Sequence, residues 1–285
     1  MKFKQFLLCC LKGFADYDGF NGEENVNLKN GYIKLVKYLS SNISKDAIKL
    51  NESVLNIDWS SASVINVKTS VGTYKTKKIV NTVSLGVLKA NHKTMYTPAL
   101  PSEKISVINK LGFGTVNKIF FVFENPVFDG NQAGIQFLWT NDTNFKLKSD
   151  KTCNLNGNEF YKSFNSLVVL PKNKNILFGF FVGKDSIFRF ILIYSYFLFL
   201  IILISIFSES LSDSCLIDVF AEMLDKFFPK LKIPRPIDVV RSKWNSNPLV
   251  QGSYSFPKLG SQLSDTKLLA KPVVFIFSFR IVLFI

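Results

Sequence analysis

The chain has 285 residues, of which 47% are hydrophobic, and this composition excludes disorder of the whole chain. Its formal net charge of +14, from 35 Lys+Arg against 21 Asp+Glu, would suit a nucleic acid or an anionic membrane surface. However, the lysines are spread along the chain and no basic run is interleaved with a nucleic-acid motif. We therefore expect no nucleic-acid partner and attribute the charge to general composition.

Cysteine and histidine are scarce, with four Cys and one His. Cys9 and Cys10 are adjacent, Cys153 and Cys215 are isolated, and no C-x-x-C occurs. This spacing argues against a metal site and predicts free thiols in a reducing compartment. His92 lies in a polar stretch typical of a turn, which predicts a solvated histidine rather than a member of a catalytic triad.

The first predicted elements are a helix and a β-meander. The apolar run 6–11 is short for a signal-peptide core and is interpreted as part of a helix. Apolar residues at near-helical spacing predict an amphipathic helix over 31–43. Short alternating segments near 54–59, 63–67 and 78–83, with Gly72 in a turn, predict the strands of the meander.

A helix that begins at a Ser102 N-cap precedes a strand over 116–123. Alternation places Lys118 with Val116, Phe120 and Val122 on one face of this strand, and both faces are apolar, so we expect burial on both sides. A lysine in such a setting costs several kcal/mol unless it is solvated or paired. Two interpretations of Lys118 remain: its ammonium reaches water at a strand end, or it faces a cavity as a site residue.

Two further strands, a helix and another strand follow, which together predict a mixed α/β (α+β) fold. The strands are expected near 166–170 and 176–182, the helix over 215–228 with Ser212 or Asp213 as its cap, and the last strand over 238–244.

An apolar run of 18 residues without a charge interrupts this pattern at 190–207; Arg189 precedes it, and Glu209 is the next charged residue after it. By length and hydropathy the run is a transmembrane candidate. The sequence on both sides is typical of a soluble domain, so we favour an insert, such as translated non-coding sequence, over a true span.

Several segments together resemble the flavin-containing amine oxidases, in particular the polyamine oxidases that act on spermine or N1-acetylated polyamines. The resemblance rests on 84–89 (SLGVLK), 100–104 (LPSEK), 111–120 (LGFGTVNKIF), 241–244 (RSKW) and 252–255 (GSYS).

The resemblance implies part of a two-domain FAD-dependent amine oxidase fold, with a mixed-sheet substrate domain and an incomplete Rossmann-like FAD-binding domain. We expect the following division: 1–30 as an N-terminal remnant, 31–90 as the middle of the FAD-binding domain, 91–245 as the substrate-binding domain interrupted by the apolar insert 187–207, and 246–285 as a truncated return to the FAD-binding domain.

The resemblance also implies an activity and site residues. Such enzymes oxidise a polyamine C–N bond by hydride transfer to FAD, with oxygen as acceptor and hydrogen peroxide as product, in the cytoplasm or the peroxisome. Lys118 matches the catalytic lysine that holds a water against the flavin, Val54 a backbone contact at the adenine end of FAD, Trp244 a tryptophan near the flavin, and Tyr254 an aromatic of the substrate path. Ordinary packing remains the alternative for Val54, Trp244 and Tyr254, while the resemblance favours Lys118 as a site residue.

Two cofactor-binding segments of that family do not occur in the sequence. There is no G-x-G-x-x-G, since Gly112 and Gly114 have no third glycine, and there is no Gly-Glu-Ala-Thr. We therefore expect the chain as written to be inactive. The alternatives are a non-catalytic fragment or pseudo-enzyme, and a single-span membrane protein; the oligomeric state stays open.

Overall fold

The computed structural model describes residues 31–128, 132–139, 147–156, 159–182, 207–258, 260–273 and 276–278. These residues form two compact units. Unit 1 comprises 31–82, 88–112 and the described residues from 257 to 278, and unit 2 comprises 83–87 and the described residues from 113 to 256.

The helices and strands alternate along the chain, as expected for a mixed α/β protein. The helices are α1 Ile33–Ser40, α2 Leu85–Met95, α3 Ser102–Lys110, α4 Ser149–Thr152, α5 Asp213–Phe227 and α6 Leu263–Ala270, with short 3-10 turns at Lys45–Ala47 and Phe160–Ser163. The strands are β1 Val54–Asp58, β2 Ile65–Thr69, β3 Thr73–Thr76, β4 Ile79–Asn81, β5 Tyr96–Thr97, β6 Gly112–Phe113, β7 Val116–Val122, β8 Gly134–Gln136, β9 Ser166–Leu170, β10 Asn173–Val182, β11 Asp238–Arg241, β12 Ser255–Phe256 and β13 Ile276–Ser278.

Unit 1 contains a four-stranded sheet of order β3-β2-β1-β5, in which β1 is antiparallel to β2 and parallel to β5. The predicted meander is correct for its first two strands, β1 and β2, but its third strand is β3, which the sequence did not predict. The third predicted strand is present as β4, which pairs in parallel with β13 in a separate two-stranded sheet. The predicted helix is present as α1, although none of its residues is buried. The helix predicted from Ser102 is also present as α3, but Pro101 rather than Ser102 occupies its N-cap position.

A buried lysine joins α3 to α6 in unit 1. Lys104 is 2% exposed, and its Nζ donates hydrogen bonds to the carbonyls of Leu268 (3.1 Å), Leu269 (2.8 Å) and Lys271. These carbonyls lie at the C-terminal end of α6, where helix carbonyls lack partners within the helix. The ammonium therefore caps α6 from within the core.

Unit 2 is built on a five-stranded antiparallel sheet of order β11-β7-β10-β9-β8, and helix α5 contributes much of its core. Phe220 of α5 stacks on Phe121 of β7 with ring centroids 3.6 Å apart. Helix α5 begins where predicted, because the Ser212 hydroxyl accepts a hydrogen bond from the Cys215 N–H at 3.2 Å.

Three further predictions from the sequence are wrong. His92 is 5% exposed within α2, with Nδ1 2.9 Å from the Leu88 carbonyl, because the polar stretch is one side of a helix rather than a turn. Cys153 and Cys215 are not free thiols: α4 and α5 pack together, bring their Cα atoms to 5.6 Å, and the two sulfurs form a disulfide. The last predicted strand ends at Arg241 rather than 244, since 244–246 form a turn.

The apolar run 190–207 lies outside the described residues, apart from Phe207, as does the predicted helix near 6–11. Among the residues that the structure describes, no helix has both the length and the hydropathy needed to cross a bilayer.

Candidate active site

The two faces of β7 differ in burial. Asn117, Ile119 and Phe121 are buried against the core of unit 2, whereas Lys118 lies on a half-buried face. The prediction of burial on both sides is therefore correct for one face only.

Lys118 carries an ammonium group in an aromatic setting. Its Nζ lies 5.8 Å from the centroid of the Phe180 ring, which belongs to the residue paired with Lys118 on β10. Burial lowers the pKa of Lys118 from the ordinary 10.5. Among the described residues Lys118 forms no ion pair, so its ammonium is available to a polar group on this face of the sheet.

The buried neighbour of Lys118 anchors a polar network. The Asn117 Nδ2 group donates to Oε1 of Glu209 at 2.6 Å. The Asn117 Oδ1 atom accepts from the Ser242 hydroxyl and from the Trp244 N–H, both at 3.1 Å. Ser242 Oγ in turn accepts from the Lys118 N–H at 2.8 Å. The network thus joins the backbones of Lys118 and Trp244.

The Glu209 carboxylate joins this network to the turn 244–246. Besides Asn117, it accepts hydrogen bonds from the N–H groups of Asn245 (2.9 Å) and Ser246 (2.7 Å). Glu209 is 6% exposed, and a buried carboxylate requires such donors because desolvation otherwise penalises its charge.

Tyr254 is attached to the same stretch of chain through Ser253. The Ser253 hydroxyl accepts from the Val116 N–H (3.1 Å) and donates to the Val116 carbonyl (2.8 Å). The Tyr254 carbonyl accepts from the Gly114 N–H at 3.2 Å. The Tyr254 side chain itself is exposed.

The structure therefore attaches two of the predicted site residues, Trp244 and Tyr254, to the segment 114–118 that carries the third, Lys118. The fourth, Val54, is 40% exposed at the start of β1 in unit 1. The prediction missed the residues that make the attachments, namely Asn117, Glu209, Ser242 and Ser253. An asparagine within an otherwise apolar strand was a signal for a buried polar network, but its partner Glu209 is distant in sequence.

Arg241 holds the segment that follows the apolar run. Its guanidinium donates to the Ser208 carbonyl at 2.8 Å and to the Leu211 carbonyl, and Nη2 lies 3.2 Å from Oδ1 of Asp213. Burial lowers the pKa of Arg241, while the carboxylates of Asp213 and Glu209 oppose that shift. The chain after the run is thus fixed to the sheet of unit 2.

The model of the family described as "Flavin containing amine oxidoreductase" matches residues 4–185 and 200–278. The interruption of this match, 186–199, overlaps the first part of the apolar run.

Curated relatives include the peroxisomal N(1)-acetyl-spermine/spermidine oxidase of Homo sapiens, 28% identical over an alignment of length 291 that covers 94% of this chain and 52% of that protein. Another is the probable polyamine oxidase 5 of Arabidopsis thaliana, 26% identical over 278 residues, with 91% and 47% covered. The chain therefore spans about half the length of these relatives.

Solved structures of putrescine oxidase share the fold. The wild type bound to putrescine aligns with a TM-score of 0.54 at 14% identity, covering 87% of this chain and 46% of that one. At this identity the likeness concerns the fold alone, and that fold is the two-domain FAD amine oxidase fold.

Proposed function

The chain belongs to the family of flavin-containing amine oxidoreductases, and we propose that it is a polyamine-oxidase-like flavoprotein. The reaction would oxidise a polyamine C–N bond, with oxygen as electron acceptor and hydrogen peroxide as product. This proposal is supported by the family match and by the polyamine oxidases among the relatives. The proposed compartment is the cytoplasm or the peroxisome.

The observation that carries the proposal is the attachment of Trp244 and Tyr254 to the segment of β7 around Lys118. A bound flavin would supply the redox chemistry between the amine and oxygen. The role proposed for Lys118 is to donate a hydrogen bond from its ammonium to a water in the site. Trp244 and Tyr254 would bound the path of an aliphatic amine, for which aromatic side chains offer apolar area and cation–π contacts.

The residues present fit parts of FAD but not its pyrophosphate. A desolvated ammonium with no carboxylate partner among the described residues suits the ring end, where we assign Lys118 and Trp244. Val54, at the exposed start of β1, is assigned to the adenine end. The central pyrophosphate does not fit, because the 285 residues contain no G-x-G-x-x-G, the turn that brings a helix N-terminus to the phosphates. FAD binding by this chain alone is therefore not proposed.

The flanks of the apolar run argue for an insert over a membrane span. Before the run, Val182 at the end of β10 pairs with Val116. After it, Glu209 bonds to Asn117, the next residue of β7. A single crossing would separate its flanks by a hydrocarbon core of about 30 Å, whereas both flanks here contact adjacent residues of one strand.

The alternative in another class is a non-catalytic fragment or pseudo-enzyme, favoured by the lack of a pyrophosphate-binding motif. The test uses the protein as it is expressed from the gene that encodes this chain. We expect it to bind flavin and to release hydrogen peroxide with spermine or an N1-acetylated polyamine, but not with benzylamine. A flavin-loaded, folded protein that releases no peroxide with any polyamine would contradict the proposed activity.

A further inference from the structure

We propose that Glu209 is a positioning residue of the candidate active site, which acts through the turn 244–246 to hold the Trp244 backbone to Asn117, the neighbour of Lys118 on β7. The inference rests on the proposed function for its catalytic consequence. The geometry that supports it is independent of any cofactor, because every contact is within unit 2 of this chain.

The Glu209 carboxylate accepts three hydrogen bonds, two of them from the turn 244–246. Oε1 accepts from Asn117 Nδ2 and the Asn245 N–H, and Oε2 accepts from the Ser246 N–H. Two consecutive backbone N–H groups are thus held by one side chain, which restricts the backbone directly after Trp244. A carboxylate serves this purpose because it accepts at both oxygens, and charge-assisted hydrogen bonds are shorter and stronger than neutral ones.

The same side chain is coupled to Lys118. Asn117 donates to Glu209 with its amide nitrogen, so its amide oxygen is turned toward the Ser242 hydroxyl and the Trp244 N–H. Ser242 then accepts from the Lys118 N–H. Removing the acceptor at Glu209 would free the Asn117 amide to rotate and exchange its donor and acceptor. The backbone of Trp244 and, through Ser242, that of Lys118 would lose their common support.

The substitution that tests this role is Glu209→Gln, which keeps the shape but replaces one acceptor oxygen with a donor that faces an N–H group. The matched control is Glu222→Gln. Glu222 also accepts two consecutive backbone N–H groups, those of Lys148 (2.6 Å) and Ser149 (2.9 Å), but it contacts α4 rather than the turn 244–246.

The readout is the fluorescence of Trp244 in a Trp59→Phe/Trp139→Phe background of the full chain, since the sequence holds three tryptophans. We expect Glu209→Gln to shift the Trp244 emission to longer wavelength and to increase its quenching by acrylamide. Glu222→Gln should change neither. The paired substitution Asn117→Asp/Glu209→Gln restores a donor and an acceptor between the two side chains but leaves the Asn245 N–H facing an amide nitrogen, since one oxygen of Glu209 accepts from both Asn117 and Asn245. The emission should therefore return part of the way to that of the parent.

A Glu209→Gln emission equal to the parent, an equal shift in Glu222→Gln, or no recovery in the paired variant would each overturn the positioning role. Should Glu209→Gln fail to fold by circular dichroism, Ser242→Ala removes one hydroxyl of the same network. It must then produce the shift for the inference to stand.

The catalytic consequence is measured separately in the flavin-loaded full-length protein. Displacement of a positioned group by about 1 Å can lower a rate about 100-fold, so kcat should fall by up to that factor in Glu209→Gln. Inactivity of the parent would contradict the proposed function and leave the fluorescence result intact. A shifted emission with unchanged kcat would overturn the catalytic part of the inference.

Discussion

Replacing Lys118 with methionine separates its chemical role from its structural one. Lys118 is half-buried on β7, and its ammonium contacts the Phe180 ring at 5.8 Å. An exposed cation–π contact contributes about 0.5–1 kcal/mol, and methionine returns apolar contact on the same face. We therefore expect the free energy of unfolding of Lys118→Met to differ from that of the parent by less than about 1 kcal/mol. Urea denaturation checks this value.

The pH dependence of stability gives a second structural readout. Because burial lowers the native pKa of Lys118 below 10.5, the native state releases this proton before the unfolded chain does as the pH rises. The unfolded state then binds more protons, so the Lys118 contribution to stability increases toward pH 10.5. The methionine variant should lack this rise.

The effect on catalysis should be much larger than the effect on folding. One unit charge about 4 Å from a reacting centre is worth up to about 4 kcal/mol at an effective dielectric constant near 20. Loss of even about 1.4 kcal/mol of that energy slows a step tenfold. Stopped-flow measurement of flavin reduction and reoxidation in the flavin-loaded full-length protein should show at least this loss in one half-reaction.

Two variants control that experiment. Lys118→Arg keeps the charge and should retain more activity than the methionine variant. Lys243→Met removes an exposed lysine next to Trp244 and should leave both half-reactions unchanged. Parental rates in both half-reactions for Lys118→Met would show that Lys118 is an ordinary strand residue, and its assigned role would be wrong.

Three further predictions concern flavin, the apolar run and Lys104. The purified 285-residue chain should contain no flavin, since it lacks G-x-G-x-x-G, and stoichiometric flavin absorbance would contradict this. Deletion of 187–206, which keeps Phe207 against the core, should raise solubility because it removes an uncharged apolar run from the sequence; lower solubility would show that the run belongs to the fold. Lys104→Met should lower the free energy of unfolding by about 1–3 kcal/mol, because carbonyls of α6 lose a buried donor, and urea denaturation followed by Trp59 fluorescence checks this. Lys110→Met, at an exposed lysine, should lower it by less than about 0.5 kcal/mol, and equal losses in the two variants would refute the capping role.

The elements that the sequence predicted best have a strong local period. Helix α5 has buried residues at helical spacing and a serine cap, and β7 has a strictly alternating pattern. Helix α2 was missed because Gly86 and a polar stretch around His92 oppose a helical assignment locally. The structure explains Gly86: a Cβ there would lie 2.4 Å from the Gln251 carbonyl oxygen and 2.6 Å from the Phe113 ring. Glycine is needed at this position because the chain approaches it closely, although glycine lowers the helix propensity.

The candidate site could be predicted only in part, for a related reason. Lys118, Trp244 and Tyr254 were singled out because they lie in short motifs that resemble those of a known family. Glu209 was not, because its partner Asn117 is 92 residues away and an apolar run intervenes. The disulfide between Cys153 and Cys215 was missed in the same way, since a separation of 62 residues gives no local signal.

The short motifs 241–244 and 252–255 also contain the residues that attach these segments to β7. In 241–244 the serine that precedes Lys243 accepts the Lys118 N–H, and in 252–255 the serine that precedes Tyr254 bonds to both backbone groups of Val116. Each serine thus ties the chain near an assigned aromatic residue to β7, and an alanine of similar size would leave these backbone groups without that partner. A buried backbone group that loses its partner costs about 1–3 kcal/mol, which is comparable to the energy at stake in a tenfold change of rate. Loss of a residue that only holds the chain in place can therefore cost as much free energy as loss of a catalytic contact.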